Sequence, residues 1–298
     1  MRRYWGLALS GGGLRACTHI GVLKELEEAG LRPDYLAGTS MGSLIGGLYA
    51  AGLSAEAIEN FLVEDRRFIK LFSISLMRNL ISFLRSYLKG RFTVQGSAIG
   101  APLGLISGKN FERVLCEVLG GKRFSDLKLP FAVVAADLNK NRRVIFASSK
   151  YLPGPLPPRS VRMESDLATA IRASCSIPGV FVPKIMEGCC LVDGVVIDNL
   201  PVEVVKYMGA DVVVAIGVEH ISRKLAPVSN ITEVLTQAIE VQSSEMTQIR
   251  VDQYAQLSIR PQIFDVGHLD PTKIPYCIQR GRAAAREALP QLRRLICR

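Results

Sequence analysis

The chain has 298 residues, 48% hydrophobic and 21% charged, with 26 glycines along its length. That balance fits a folded globular protein with a full-sized core and excludes a disordered or fibrous chain. The net charge is +10, and the seven cysteines are scattered and odd in number, with Cys189 and Cys190 adjacent; this pattern offers neither a CxxC metal spacing nor a disulfide framework.

Taken in chain order, "MRRYWGLALSGGGLRAC" carries two early arginines and a late cysteine, like a secretory signal. Its apolar stretch is too short, Ser10 and three glycines break it, and Arg15 precedes the cleavage position, so it is rejected as a targeting segment. No window offers the roughly eighteen apolar residues of a spanning helix. A reducing cytoplasmic setting is expected. "YWGLALS" reads as a buried strand, "GGGLR" as a turn, and "ACTHIGVLKELEEAG" as a helix closed by Gly30. "PDYLAGTS" is a second strand, "MGSLIGGLYAAG" the helix behind it, and "SAEAIENFLVED" a helix capped by Ser54. "FERVLCEVLGG" is a helix with a glycine stop; "PFAVVAADL" and "RRVIFAS" are strands. The proline-rich "YLPGPLPPRS" is a loop within the domain. "SDLATAIRAS" is a capped helix, "CCLVDG" a strand entering a tight turn, and "PVEVVKYMGA" a helix with Pro201 at its first position. "DVVVAIGV" is a strand buried on both faces. Apolar strands alternating with helices predict a mainly parallel sheet covered on both sides, in one α/β domain over residues 1–298, with helices after residue 272.

Two turns carry chemistry. Gly11, Gly12 and Gly13 lie between a strand and a helix N-terminus, where backbone N–H groups converge on an anion. That anion is either a nucleotide phosphate or the oxyanion of an acyl transfer. The phosphate reading is the weaker, because a dinucleotide fingerprint wants an acidic residue ending the next strand, and here that strand ends at Ser40. Gly38-Thr39-Ser40-Met41-Gly42 has the spacing of a nucleophile elbow. Parallel neighbouring strands would set both turns at one sheet edge. A serine nucleophile needs a base. His19 shares a 3-4-7 spacing with Val22, Leu23 and Leu26, which predicts a packed core position; His220 and His268 lie in no motif. Asp193 sits in a turn where an aspartate often only caps backbone N–H groups, so residue patterns alone leave its role open.

"SGGGLRA", "GTSMG", "AIRASCSIPGVFVP" and "LVDGVVIDNLPV", in that order, resemble the four blocks of patatin-like phospholipases. The resemblance covers about residues 6–218. It implies a three-layer α/β/α sandwich, lipid acyl hydrolysis through a serine–aspartate dyad without histidine, and no metal or cofactor. By position it makes Ser40 the nucleophile, Asp193 its base, Gly38 and Gly42 the elbow glycines, and Gly11, Gly12 and Gly13 the oxyanion loop, with Arg15 beside it. The sequence departs from the family pattern at Ala16 and Val195, the second directly after the "DG" turn. A catalytically weak regulatory or membrane-docking protein is the alternative. A carboxylate base would need an apolar pocket to raise its pKa from the usual value of about 3.9.

The charge excess gathers between residues 66 and 91, where Arg66, Arg67, Lys70, Arg78, Arg85, Lys89 and Arg91 stand without an acidic neighbour. Interleaved Ile, Leu and Phe permit two readings: core helices with snorkelling cations, or an interfacial segment resting on an anionic membrane surface. A lipid substrate favours the second and a peripheral position on the inner face of the membrane. No nucleic-acid-binding motif is present.

Overall fold

The computed structural model describes residues 3–64, 103–152, 154–221, 231–267 and 270–297. The basic segment 66–91 and His268 lie outside them. Strand β1 (Trp5–Leu9) runs mid-sheet, parallel to β2 (Tyr35–Thr39) on one side and to β10 (Val212–Ile216) on the other. β12 (Leu257–Ile259) extends the β10 edge, and β4 (Phe131–Asp137) continues beyond β2, all parallel. β5 (Arg142–Phe146) then reverses against β4 and is followed by β6 (Ser160–Met163). β8 (Lys184–Met186) and β9 (Cys189–Asp193) complete a nine-stranded sheet, both pairings of β9 being antiparallel. β3 (Gly104–Ile106) pairs with β7 (Gly179–Phe181), and β11 (Glu219–Ile221) with β13 (Gln262–Phe264).

Alternation along each strand splits the interior into two layers. Leu7, Leu9, Leu36, Val133, Val214 and Ile216 face one side, packed with Ile20 of α1 (Thr18–Glu28), Leu44 of α2 (Met41–Ala50) and Ile58 of α3 (Ala55–Val63). The same core takes Leu115 of α4 (Lys109–Leu119), Ile171 of α5 (Leu167–Ser174) and Ile278 of α8 (Ile274–Ile296). Their smaller neighbours Ala8, Ala37, Ala132 and Ala215 face the other side, beneath Val202, Val204 and Val205 of α6 (Val202–Tyr207) and Val251 of α7 (Ile231–Tyr254). The predicted three-layer α/β/α sandwich is the observed one, and its sheet is mixed where β5, β8 and β9 join.

Four local expectations need adjustment. The first helix is preceded by a 3-10 turn over Gly13–Cys17, so α1 begins at Thr18. Pro201 is the N-cap of α6 and not its first helical residue. Residues 274–296 form one helix that runs through Pro290. Helix α7, absent from the sequence reading, exposes Val234, Val241, Met246 and Ile249 and buries Val251 near its C-terminal end. Ser54 caps α3 as predicted, accepting from the Ala57 N–H at 3.2 Å. Among the described residues no helix is long and apolar enough to cross a membrane.

Candidate active site

The sheet register decides what meets at its edge. β4 pairs with β5 on one side, so β2 and β9 must share the other. β2 occupies Phe131–Val134, with Thr39 opposite Val134; β9 enters from the opposite direction and ends with Asp193 opposite Ala135. Two strands therefore run end to end along one edge and bring their C-termini, Ser40 and Asp193, together.

Ser40 stands between β2 and α2 with φ 53° and ψ −125°, a left-handed conformation that a non-glycine residue adopts only under constraint. The constraint comes from the two elbow glycines. A Cβ on Gly38 would lie 2.4 Å from the Gly42 carbonyl oxygen, and one on Gly42 would lie 2.4 Å from the Leu9 carbonyl oxygen and 2.5 Å from that of Ser10. The GxSxG spacing is thus a requirement of close backbone approach, strand against helix and helix against the end of β1. The Ser40 N–H donates to Ser174 Oγ at 2.8 Å, and Ser174 donates onward to the Val134 carbonyl at 2.6 Å, at the point where β2 gives way to β9.

Ser40 Oγ donates to Asp193 Oδ2 at 2.6 Å. Asp193 Oδ1 accepts from the Val195 N–H at 3.0 Å, so the aspartate both caps its turn and receives the serine. Asp193 is 1% exposed and Ser40 7%. Burial pushes the Asp193 carboxyl up to about 7, against the opposing pull of the Ser40 and Val195 hydrogen bonds. Val195 acts here through its backbone, so its bulkier side chain leaves the turn intact. Gly194 is required, since a Cβ there would lie 2.3 Å from the Val134 carbonyl oxygen.

The glycine loop lies against this pair. A Cβ on Gly11 would stand 3.0 Å from Ser40 Cβ and 2.9 Å from Asn199 Oδ1. The Gly11 N–H itself is engaged, donating to Asn199 Oδ1 at 3.0 Å and to the Asn199 carbonyl at 3.2 Å. Gly12 (φ 139°) and Gly13 (φ 60°) begin the 3-10 turn, where the first N–H groups have no carbonyl of their own helix to bond. The Arg15 side chain is engaged with other elements. Its guanidinium is buried, with Nε donating to the Val266 carbonyl at 2.8 Å and an ion pair to Glu240 of α7 at 3.4 Å.

His19 is fully buried, and its Nε2–H donates to the Ser10 carbonyl at 2.8 Å. Burial lowers its pKa to about 4, so the imidazole is neutral. His220 lies on β11, in register with Ile263. Cys175, near Ser43 Oγ at 4.0 Å, is the other buried nucleophilic type here; desolvation raises its pKa and holds the thiol protonated. Ser174, Ser176, whose carbonyl accepts from the Asp193 N–H at 2.9 Å, and Asn199 had no assigned role in the sequence reading. Their only signal was membership of the third and fourth quoted blocks.

A mainly parallel sheet thus brings together a serine in a left-handed conformation, a buried carboxylate that accepts its hydroxyl proton, and a glycine loop, the groups that serine hydrolases use. The chain belongs to the patatin-like phospholipase family, whose profile matches residues 7–206. It is 33% identical over 214 residues to human patatin-like phospholipase domain-containing protein 6, covering 71% of this chain and 13% of that protein. It is 32% identical over 222 residues to lysophospholipase NTE1 of Yarrowia lipolytica, covering 72% and 13%. The chain therefore spans only about an eighth of the length of these relatives. Among solved structures, VipD from Legionella pneumophila is similar with a TM-score of 0.49 at 14% identity, over 97% of this chain and 67% of that one.

Proposed function

We propose that this domain is a serine acyl hydrolase that cleaves fatty acyl esters of phospholipids or lysophospholipids through a Ser40–Asp193 dyad. The observation that carries the proposal is the 2.6 Å hydrogen bond from Ser40 Oγ to a buried Asp193 whose pKa stands near 7. At neutral pH such a carboxylate is divided between its two forms, which suits a group that must take and return one proton. Ser40 Oγ attacks the acyl carbonyl as its proton passes to Asp193. The oxyanion that forms is met by the N–H groups of Gly12 and Gly13 and by the positive end of the turn they begin. Gly11, bonded to Asn199, fixes the loop. Collapse returns the proton to the departing alcohol, the lysolipid or glycerophosphoryl product, and leaves an acyl ester on Ser40. Water then gives its proton to Asp193, attacks that ester, and releases the fatty acid with Ser40 restored.

The lysophospholipase name of the fungal relatives supports a lysophospholipid as the first substrate to try. The test is labelling by a fluorophosphonate together with hydrolysis of a lysophospholipid panel read by mass spectrometry. Labelling of Ser40 and release of free fatty acid are expected. A folded protein that does neither would leave the docking-protein reading in its place. Binding of the basic segment to anionic membrane is proposed on charge alone and is checked by vesicle sedimentation with and without salt.

A further inference from the structure

The chain between Asp193 and the start of α6 touches every part of the site. Val195 N–H bonds the Asp193 carboxylate, Ile197 and Asp198 N–H groups both bond the Gly194 carbonyl, at 3.0 and 2.8 Å, and Thr39 Oγ1 donates to the Asp198 carbonyl at 2.8 Å. One residue further, Asn199 takes the Gly11 N–H on both its side-chain and main-chain oxygens, at 3.0 and 3.2 Å. Within this six-residue stretch Val195, Asp198 and Asn199 therefore contact the aspartate, the residue before the serine and the first glycine of the loop. The turn is anchored from behind by charge. The Asp198 carboxylate, 1% exposed, lies 3.3 Å from Arg143 Nη1 of β5 and 3.2 Å from Arg250 Nη1 of α7, and Arg250 also donates to the Ile197 carbonyl at 2.8 Å. Arg143 is held in turn by Glu203 of α6 at 2.8 Å, and Glu203 by the Tyr254 hydroxyl at 3.1 Å.

We infer that Asn199 is a positioning residue: it ties the oxyanion loop to the same turn that carries Asp193, so that the donors at Gly12 and Gly13 and the base keep a fixed spacing about Ser40. The inference rests on the acyl-hydrolase reading above. The physical reason is short-range geometry. Oxyanion donors act only within about 3 Å of the oxygen they serve, and a misplacement on the order of 1 Å costs about a hundredfold in rate. Gly11 has no side chain with which to fix its own loop, and a substituent there would strike Ser40; its carbonyl accepts from the neighbouring Ser10 Oγ at 2.9 Å, while its N–H is restrained from across the site by Asn199. Asn199 supplies that cross-site restraint with a side-chain oxygen already taken by the Gly11 N–H.

The test uses the whole chain and two readouts on each variant: turnover of p-nitrophenyl butyrate and the rate of fluorophosphonate labelling. Asn199→Ala should lower kcat and the labelling rate by about 10- to 100-fold while KM stays within about twofold, because the loop moves and the acyl site does not. The apparent pKa of the kcat/KM profile should stay in place, since Asp193 keeps its surroundings. Asn199→Asp, which restores the acceptor, should recover most of the loss when assayed at its own pH optimum. Wild-type kcat in folded Asn199→Ala overturns the inference, and so does equal impairment of the Ala and Asp variants, which would mark a purely structural role. Ser40→Ala separates the two readings: if it retains hydrolysis, the dyad proposal fails; if it is inert while Asn199→Ala is unimpaired, only the positioning role fails.

Discussion

The two halves of the site are built by different means. The elbow is held by steric necessity: Gly38 and Gly42 exist because backbone from α2 and β1 occupies the space a Cβ would need. The base turn is held by polar contacts: Asp193, Asp198 and Asn199 are each tied by hydrogen bonds or ion pairs to residues between 52 and 188 positions away, namely Ser40, Thr39, Arg143, Arg250 and Gly11. A sterically fixed part writes itself into the local sequence as small residues at set spacing. A part fixed at long range does not, because each residue involved has an ordinary local role as well.

The largest expected effect falls where the halves meet. Ser40→Ala and Asp193→Asn should each lower ester hydrolysis by about a thousandfold or more, and the double variant should be hardly worse than either, since the two act as one unit. His220→Ala and His268→Ala should keep near wild-type turnover. Additive losses in the double variant, or full activity in folded Asp193→Asn, would separate the halves and dissolve the dyad.

The same buried carboxylate carries a stability effect. In the folded chain Asp193 has a pKa of about 7, raised from its ordinary value. A raised carboxyl stabilises the folded state relatively at low pH, and that contribution is lost as pH rises through about 7. Above neutrality the wild type is therefore penalised by up to about 4 kcal/mol for holding this group in an apolar site. Denaturant unfolding should show Asp193→Asn gaining on the wild type between pH 4 and pH 8. A pH-independent difference would mean that the carboxyl is better solvated than its burial indicates.

On the steric side, Gly42→Ala places a methyl group 2.4 Å from the Leu9 carbonyl oxygen, a backbone atom of the central strand that cannot turn aside. A loss of about 1–3 kcal/mol is expected from such overpacking, with a drop in activity from the displaced serine. Replacing Gly120, beside which a Cβ meets nothing within 4 Å, tests a different matter. Its φ of 60° makes that change a conformational penalty alone, so thermal unfolding of the two variants compares crowding with backbone strain.

This contrast also explains what was legible in the sequence. The central strands read correctly because apolar runs buried on both faces leave a plain signal, and the strand-to-helix turn at Ser40 left a spacing signal because its glycines are steric. The antiparallel entry of β9 did not, since five residues such as "CCLVD" say nothing of the direction from which they join the sheet. Asp193 emerged from the order of the family blocks, and the even reading of its local pattern was physically apt, because it does cap the Val195 N–H. Asn199 and Ser174 escaped notice because a single amide or hydroxyl at the end of a block has no periodicity to betray it. Helix α7 escaped because its large apolar residues Val234, Val241, Met246 and Ile249 face outward.

The smallest expected effect concerns His19, whose neutral imidazole holds the Ser10 carbonyl just before the glycine loop. Its folded pKa is about 4, depressed by burial, while an unfolded histidine titrates near its usual value of about 6.5. A depressed pKa gives stability that is fully present above about 6.5 and lost as pH falls toward 4, because only the unfolded chain then binds the proton readily. Asp193 acts oppositely over much of the same interval, becoming less unfavourable as pH falls. In the wild type the two titrations partly cancel, so their summed contribution varies weakly between pH 4 and 7. Each is exposed by removing the other. Asp193→Asn should lose roughly 2 kcal/mol between pH 7 and pH 5 from His19 alone. His19→Gln places an amide donor near the position of Nε2 and removes the titration, so combined with Asp193→Asn it should abolish that decline. If the decline persists at full size in the double variant, another buried group is responsible and the Ser10 carbonyl is held by a histidine that stays solvated enough to charge.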